Sequence, residues 1–557
     1  MDELLVVIVL ALLVIAAAAV VSPRLGIAAP LVLVAIGVGA SFLPVFGSVE
    51  IEPEWILAGV LPPLLYSSAV SMPGMNFRRE FGAISGLSVL LVVASALVLG
   101  LFFMLVLPDI GFAWGVALGA IVSPTDAVAT SIIKKTSVSQ RVVAILDGES
   151  LLNDATALVL LRTAIVATAV SFSFWGAVGT FAYSVVVAVL VGLAVGWLNL
   201  AVRKRVTDPT VNTVISFTVP FIAFLPAEGL RASGLVAAVV AGLVTGIGAP
   251  RDLSPQNRLS DTQNWRTVEL VLEGAVFLTM GVQITSIVAD VEADQGGVGT
   301  AVLIAAGALV LTILVRAAYV APLLGVLARR AQHGEKMKPR MQEFQERIAT
   351  PEGTQESFHE VNGRGRKATD RDLDRFARRV RQSVADIDYF LREPLGWREG
   401  TAVVWAGMRG AVTVAAAQTL PDNTPQRSVL VLVAFAVATM SLLIQGGTIG
   451  PLLRRITPQV DQAALDERTH DERQQIFALM RSSAEAIPQP PTPTEDPTLS
   501  EQFETSKTHR LAVIGAQRSA LLDARDNGTF DAEVLDNALA NLDAAEIAVA
   551  LRGRFAS

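Results

Sequence analysis

Residues 142–168, VVAILDGESLLNDATALVLLRTAIVAT, are mostly apolar and long enough to cross a bilayer, yet they carry Glu149, Asn153 and Asp154. An ionised side chain at the centre of a bilayer costs about 2.5–3.5 kcal/mol on insertion scales, and such residues pair with one another or face a water-filled cavity. The stretch therefore predicts a membrane helix with a polar, functional face.

The composition of the 557 residues is that of a membrane protein. Apolar residues make up 52% of the chain and charged residues only 17%, whereas charged residues form about a quarter of an ordinary globular domain. Apolar runs of about 18 residues or more are typical of membrane-spanning helices. The sequence has no cysteine, which excludes disulfides and thiolate metal sites. We therefore predict an all-α polytopic membrane protein.

Turn residues and charge clusters divide residues 1–455 into about thirteen predicted transmembrane helices. The first follows Met-Asp-Glu rather than a basic stretch, so we interpret it as a retained span and not as a secretory signal. The predicted spans are 4–21, 25–44, 54–71, 81–107, 112–133, 142–168, 174–200, 211–226, 233–248, 266–289, 300–328, 400–419 and 427–450.

Lys and Arg are concentrated in alternate connections between these spans. The connections SPRLG, MNFRRE, KKTSVSQR and VRKRVTD are basic, whereas GSVEIEPE, LPDI, ADVEADQGG and LPDNTPQ are acidic or neutral. Basic loops are retained in the cytoplasm. The pattern predicts a multi-pass protein of the cell membrane with its N-terminus outside and its C-terminus in the cytoplasm.

Two charged regions complete the predicted domain organisation. Residues 1–328 hold the first eleven helices, 329–399 a cytoplasmic insert, 400–455 the last two helices and 456–557 a cytoplasmic tail. The insert carries an apolar stripe at helical spacing that starts near Thr369, which predicts a helix docked on its own protein or on a lipid surface. The tail joins the Pro-rich linker IPQPPTPTEDP to a small helical module, whose regulatory ligand or partner stays open.

Two of the predicted spans contain motifs that break helices. The fifth holds SPTD at 123–126, where Pro124 removes an amide donor and clashes with the carbonyl four residues before it. We expect the helix to unwind there, so that free carbonyls and the Asp126 carboxylate can act as hard oxygen ligands. The twelfth holds GMRG at 407–410, with Arg409 between two glycines, and predicts a second interrupted helix.

Further polar side chains lie within the predicted spans. In the sixth span Ser150 and Asp154 are four residues apart and share a face, and Glu149 and Asn153 form a second pair one step round the helix. Charged residues in other parts of the spans are Arg162, Glu269, Glu273, Arg316 and Arg409. Some of these could be ion pairs that only fix helix packing. That alternative stays open for the arginines of the sixth and eleventh spans and for the first of the two glutamates.

The two breaks occupy matching places in the order of the spans, because the fifth and the twelfth are seven positions apart. Broken helices at corresponding places in two halves are typical of secondary transporters that are built from inverted repeats and bind their substrate near the midplane. We therefore predict two discontinuous helices that cross, with a cavity lined by Asp126 and Asp154.

The segments SPTD, LDGESLLNDATALVL and WAGMRGAVTVAAA resemble the signature motifs of monovalent cation/proton antiporters. The resemblance covers about residues 1–455 and is to bacterial members of the sodium/proton exchanger branch with Asn-Asp on the sixth span. It implies a homodimer in the lipid membrane whose core domain moves against a dimerisation domain. It also implies electroneutral exchange of Na⁺ for H⁺, with no cofactor and no enzymatic reaction.

The same resemblance implies a role for each matching residue. The residues expected to bind the transported Na⁺ or the proton are Asp154, Asp126, Ser150, Thr125 and Asn153. Glu149 and Arg409 are expected to form a supporting ion pair, and Ser123, Glu273 and Arg316 are accessory candidates.

A mechanism follows from the chemistry of a buried carboxylate, whose affinity for a proton rises when water is removed. If a proton and a sodium ion compete for Asp154, alternating access converts this competition into antiport. A K⁺/H⁺ antiporter of the same fold remains an alternative, because residue identity does not report selectivity among Na⁺, Li⁺ and K⁺. An intramembrane aspartyl protease or a channel is less favoured, since Tyr-Asp and Gly-x-Gly-Asp patterns do not surround Asp126 or Asp154 and no pore-loop filter is visible.

Overall fold

A computed structural model of the chain describes residues 2–25, 27–43, 54–107, 109–134, 136, 138–169, 174–293, 297–348, 350–362, 369–456, 462–490 and 499–551. The regular elements in these ranges are all helices. The first eleven are α1 Asp2–Leu25, α2 Ala29–Ser41, α3 Leu61–Ser71, α4 Gly74–Ser85, α5 Val92–Val106, α6 Phe112–Val122, α7 Val128–Ile133, α8 Gln140–Ala169, α9 Phe174–Arg203, α10 Pro209–Gly229 and α11 Gly234–Asp252. The others are α12 Pro255–Val282, α13 Ile284–Ala293, α14 Val298–Arg347, α15 Pro351–Asn362, α16 Asp370–Arg392, α17 Trp397–Trp405, α18 Ala411–Gln418, α19 Arg427–Ser441, α20 Gly447–Ile456, α21 Gln462–Glu485, α22 Leu499–Asn527 and α23 Ala532–Leu551.

Within these ranges, nine helices or continuous helix runs are long and apolar enough to cross a membrane. Three shorter apolar helices, Ala29–Ser41, Trp55–Ser71 and Phe112–Val122, coincide with the second, third and fifth predicted spans. The twelfth predicted span is divided between the short helices α17 and α18. The protein is therefore a polytopic helical membrane protein, and the count of thirteen crossings stays a prediction.

Three π-helical turns, Trp55–Val60, Gly86–Leu91 and Leu442–Gly446, lie within otherwise α-helical runs. Such turns appear mostly as single insertions in α-helices, frequently near functional sites. The second of them separates α4 from α5, and the third separates α19 from α20.

The chain divides into two compact units. The first comprises Met1–Asp252, Ser260–Leu324 and Gly396–Pro458, and the second comprises Leu253–Leu259, Gly325–Leu395 and Gln459–Ser557. Helix α14 continues without a break past residue 328, where the sequence analysis places the start of the insert. The apolar periodicity ends there, but the residues that follow also favour a helix, so the helix continues.

In the first unit, one apolar core is built by α3, α9, α10 and α11. The Trp265 ring of α12 joins it, with its centroid 5.2 Å from that of Tyr66 and 5.1 Å from that of Phe217. Its indole N–H donates to Ser216 Oγ at 2.9 Å, which satisfies the one polar atom of the ring. Leu151 and Ala155 of α8 pack on the same core, so the polar helix is anchored through its apolar face.

Helices α5 and α6 approach closely because small residues line their contact. A Cβ added at Gly119 would lie 2.4 Å from the Ala96 carbonyl oxygen, and one at Gly115 would lie 2.4 Å from the Gly100 carbonyl oxygen. Small residues allow such close helix packing in membranes. This contact holds α6, which leads into the first helix break.

The second unit is a helical module with its own core, formed by residues of α21, α22 and α23 that include Ile476, Leu521 and Leu535. The amphipathic helix predicted near Thr369 is α16, which begins with a capping box between Thr369 and Asp372. Its Val380 and Val384 are buried within the unit, as the self-docking interpretation predicts. Most of the Pro-rich linker lies outside the described residues.

Candidate functional site

The two helix breaks lie against each other. Helix α6 ends at Val122 and α7 begins at Val128, while α17 ends at Trp405 and α18 begins at Ala411. In the unwound segments between them, the Asp126 amide N–H donates to the Met408 carbonyl oxygen at 2.7 Å. Since unpaired backbone groups are very costly inside a membrane, this bond satisfies a group from each break at once.

Arg409 neutralises the end of α6. Its Nε donates to the Val122 carbonyl oxygen at 2.9 Å and one Nη donates to the Ser123 carbonyl oxygen at 3.4 Å. The other Nη donates to the Gly407 carbonyl oxygen. The last carbonyls of a helix carry a partial negative charge, so a buried guanidinium at this place stabilises the break without needing a carboxylate.

The predicted ion pair between Glu149 and Arg409 is wrong, because the partner of Glu149 is Arg316 of α14. Arg316 Nη2 donates to Glu149 Oε2 at 2.7 Å, its Nη1 donates to Oε1, and both side chains are only 2% exposed. Arg316 Nε also donates to the Val403 carbonyl oxygen at 2.8 Å. The physical reason is that the guanidinium of Arg409 is already occupied by carbonyls. In the sequence, Arg316 and Arg409 both lie within apolar spans and are equivalent candidates for this pair.

A short chain of hydrogen bonds joins α8 to the first break. Asn153 Nδ2 donates to Thr125 Oγ1 at 2.6 Å and to the Thr125 carbonyl oxygen at 3.2 Å. Thr125 Oγ1 donates in turn to Glu149 Oε1 at 3.2 Å. The buried Asn153 Oδ1 meets no hydrogen-bond donor among the residues that the structure describes. The amide therefore positions the unwound segment.

The Asp126 carboxylate is held at the crossing by backbone from both breaks. Its Oδ1 accepts from the Val128 amide at 2.9 Å, at the start of α7. A Cβ added at Gly410 would lie 1.4 Å from its Oδ2, so the carboxylate rests on a backbone that has no side chain. Any other residue at position 410 would occupy the place of this oxygen.

A cavity of about 470 Å³ lies beside the crossing. Asp154 reaches it with 9% of its surface exposed. The predicted site residues that line the cavity are Asp126, Asp154, Ser150, Thr125 and Glu273. Carboxylates, hydroxyls and carbonyls are the hard oxygen ligands that alkali and alkaline-earth cations prefer. The arrangement can hold either a small cation or protons.

Other predicted residues lie behind the cavity wall. Ser123 Oγ donates to the Val92 carbonyl oxygen of α5 at 3.2 Å, so it joins α6 to α5. Glu149, Asn153, Arg316 and Arg409 support the wall through the bonds given above and do not line the cavity.

Two charged residues of the cavity, Lys134 and Asp147, were not among the predicted site residues. Asp147 precedes Asp154 by seven residues, which is two turns of α8, and this spacing could have identified it. Lys134 follows α7 in one of the basic connections, which serve in the sequence only to orient the spans. No spacing rule relates it to α8. Glu269, treated above as an open packing candidate, also lines the cavity.

Comparisons with known proteins agree on one family. The family described as sodium/hydrogen exchanger, transmembrane, matches residues 8–359 and 369–455. An uncharacterized Na⁺/H⁺ exchanger of Mycobacterium tuberculosis is 27% identical over 98% of this chain and 96% of its own length. An antiporter of Bacillus subtilis, named for exchange of sodium, potassium, lithium and rubidium for H⁺, is 30% identical over 53% of this chain and 45% of its own.

A solved structure shares the fold. The sodium proton antiporter MjNhaP1 from Methanocaldococcus jannaschii superposes with a TM-score of 0.55 at 15% sequence identity. The superposition covers 82% of this chain and 99% of that one.

The buried pair of Glu149 and Arg316 generates a stability prediction. Arg316→Met leaves the Glu149 carboxylate buried without its partner, which typically costs about 3–5 kcal/mol. We expect a large drop in the thermal unfolding midpoint of the purified full-length protein. The double variant Glu149→Gln with Arg316→Met should recover most of the loss, because no buried charge remains unpaired.

The matched control is Arg162→Met, because Arg162 pairs with Glu228 at an exposed position where its side chain is 59% accessible. Exposed pairs contribute about 0–1 kcal/mol, so this variant should change the midpoint little. Equal effects of Arg316→Met and Arg162→Met would contradict a stabilising role for the buried pair.

Proposed function

The chain belongs to the sodium/hydrogen exchanger family, and on that basis we propose that it exchanges one Na⁺ for one H⁺ through competition for the Asp154 carboxylate. Members of this family are cation/proton transporters and not enzymes, and they need no cofactor. The observation that carries the proposal is the crossing of the two breaks, which brings Asp126 and Asp154 to one cavity.

Asp154 is the carboxylate best suited to alternate between the two ions. It is almost buried at the cavity wall, one helical turn after Ser150, which lines the same cavity. Removing a carboxylate from water makes its ionised form costly unless a proton or a cation neutralises it. Both ions satisfy this requirement, and the binding of one therefore expels the other.

Asp126, Ser150 and Thr125 complete the proposed cation site. The Asp126 carboxylate is fixed by the Val128 amide, so its geometry is set before a cation arrives. Asn153 supports the site indirectly, since its amide holds Thr125 from behind. Glu273 of α12 lines the same cavity and is an accessory oxygen donor.

Electroneutrality follows if only one charge alternates. Asn153 is an amide that stays neutral, and the charge of Glu149 is compensated by Arg316. If Asp126 keeps the same charge throughout, one Na⁺ on Asp154 replaces one H⁺ and the loaded site carries the same net charge in both forms.

The proposal includes the wider architecture predicted from the sequence. It comprises thirteen spans with inverted repeats, a homodimer in the cell membrane, an outside N-terminus, a cytoplasmic C-terminus, and the division at residues 328, 399 and 455. The contact between α6–α7 and α17–α18 supports the repeats, because it joins breaks at matching places in the two halves. Alternating access requires that the cavity open to each side in turn.

A K⁺/H⁺ antiporter of the same fold is the second candidate. It is favoured by the Bacillus subtilis relative, whose name includes potassium, lithium and rubidium beside sodium. The oxygen ligands proposed here are compatible with each of these alkali cations. Titration of exchange with each chloride salt decides between the two candidates.

Asp154→Asn should abolish exchange, because an amide neither releases a proton nor balances the charge of a cation. The measurement is sodium-driven proton movement in proteoliposomes that contain a pH dye. Asp422→Asn is the matched control, since it makes the same chemical change at a carboxylate that is fully exposed. Full exchange by Asp154→Asn would refute the assignment.

Competition for one carboxylate predicts a coupled dependence on pH and sodium. Where the site is mostly protonated, the half-saturating Na⁺ concentration should rise roughly tenfold for each unit by which the pH falls, because each Na⁺ must displace one H⁺. The maximal rate at saturating Na⁺ should change much less. A half-saturating concentration that is independent of pH would rule out a shared site.

One-for-one exchange predicts no response to the membrane potential. Addition of the permeant anion thiocyanate to proteoliposomes collapses any potential that transport builds up, and it should leave the initial rate of proton movement unchanged. Acceleration by thiocyanate would show that net charge crosses the membrane and would contradict the proposed stoichiometry.

A further inference from the structure

Lys134 and Asp147 form an ion pair that the proposed exchange does not use. Lys134 caps the C-terminal end of α7, and its Nζ lies 2.9 Å from Asp147 Oδ2 of α8. Both residues line the cavity that also contains Asp126 and Asp154. The Lys134 ammonium group is therefore paired with one of the carboxylates that line the cavity.

Asp147 lies on the same wall as Asp154. Residues 147, 151 and 154 all line the cavity and follow the spacing of one helix face. At 1.5 Å of rise per residue, Asp147 lies about 10 Å along α8 from Asp154. A cation that moves along this wall meets the two carboxylates in succession.

The ion pair lies at the wetter end of the wall. The side chains of Lys134 and Asp147 are 52% and 28% exposed, respectively, whereas Asp154 is 9% exposed. Asn76 and Gln140 line the cavity as well and belong to two of the basic connections. This end is therefore the cytoplasmic mouth in the proposed orientation.

Acidic side chains outnumber basic ones in the described lining of the cavity, so the positive charge of Lys134 affects a large share of its charge balance. The carboxylates among its described lining residues are Asp126, Asp147, Asp154, Glu269 and Glu273. Lys134 is the only basic side chain in the same described lining. A cleft with an excess of one sign of charge concentrates counter-ions, and Lys134 opposes that effect at the mouth.

We propose that Asp147 is the first carboxylate to receive a cation from this side and that Lys134 is a tethered cation that competes for it. The inference rests on the proposed exchange function and assigns the pair the role of setting the apparent cation affinity. A partly exposed ion pair is only weakly stabilising. A mobile cation can therefore displace the ammonium group, and the pair regulates occupancy without blocking the cavity.

The test is the half-saturating Na⁺ concentration at the cytoplasmic face, measured with everted vesicles at fixed pH. Lys134→Gln should lower this concentration by about two- to fivefold, because a competitor is removed. Lys134→Arg should stay close to wild type, because the charge remains. Asp147→Asn should raise the concentration, and the double variant Lys134→Gln with Asp147→Asn should match Asp147→Asn alone, since Lys134 acts through Asp147.

Lys204→Gln is the control for a general charge effect. Lys204 is exposed in another basic connection and does not line the cavity, so its half-saturating concentration should equal that of wild type. An unchanged value in Lys134→Gln, an equal decrease in Lys204→Gln, or additive effects in the double variant would overturn the inference.

Failure of the inference is distinguishable from failure of the proposed function. If wild type exchanges Na⁺ for H⁺, Asp154→Asn does not, and Lys134→Gln has the wild-type half-saturating concentration, only the role of the ion pair is refuted. If wild type shows no cation-driven proton movement with any alkali cation, the proposed function itself fails.

Discussion

Backbone groups that are released from a helix inside a membrane must find partners within the protein, and this constraint organises the site. The amide of Asp126 is freed by the first break and the carbonyl of Met408 by the second, and the two bind each other. Arg409 then satisfies the carbonyls at the end of α6. Because each break completes the other, neither could persist alone in an apolar environment. The unwound backbone is in turn what allows a carboxylate to reach the cavity.

The charged side chains within the membrane fall into two groups. One group is neutralised by a fixed side chain of opposite charge and supports the structure, whereas the other faces the cavity without such a partner. Glu149 and Arg316 neutralise each other completely behind the cavity wall. Asp126 and Asp154 have no arginine or lysine on them among their described contacts, and both line the cavity. A carboxylate that is compensated by a fixed guanidinium has little use for a mobile cation. One that is compensated by nothing fixed needs a proton or a metal ion from solution.

Much of this arrangement could be predicted from local sequence. Pro124 and the glycines at 407 and 410 indicated both breaks, and the spacing of Ser150 and Asp154 indicated a shared face. Contacts across the fold could not be predicted in the same way. Arg316 and Arg409 are both arginines within apolar spans, and only the packing of α14 shows which of them meets Glu149. Lys134 could not be predicted in this way, because its partner Asp147 is on another helix and helical periodicity relates only residues of the same helix.

The glycine at position 410 has a mechanical consequence. Any side chain at this position would overlap the Asp126 carboxylate. Two residues earlier in the same unwound segment, the Met408 carbonyl oxygen accepts a hydrogen bond from the Asp126 amide. The two unwound segments therefore cannot slide past each other without losing both contacts. A movement that keeps both contacts therefore displaces the two unwound segments together, as one rigid body.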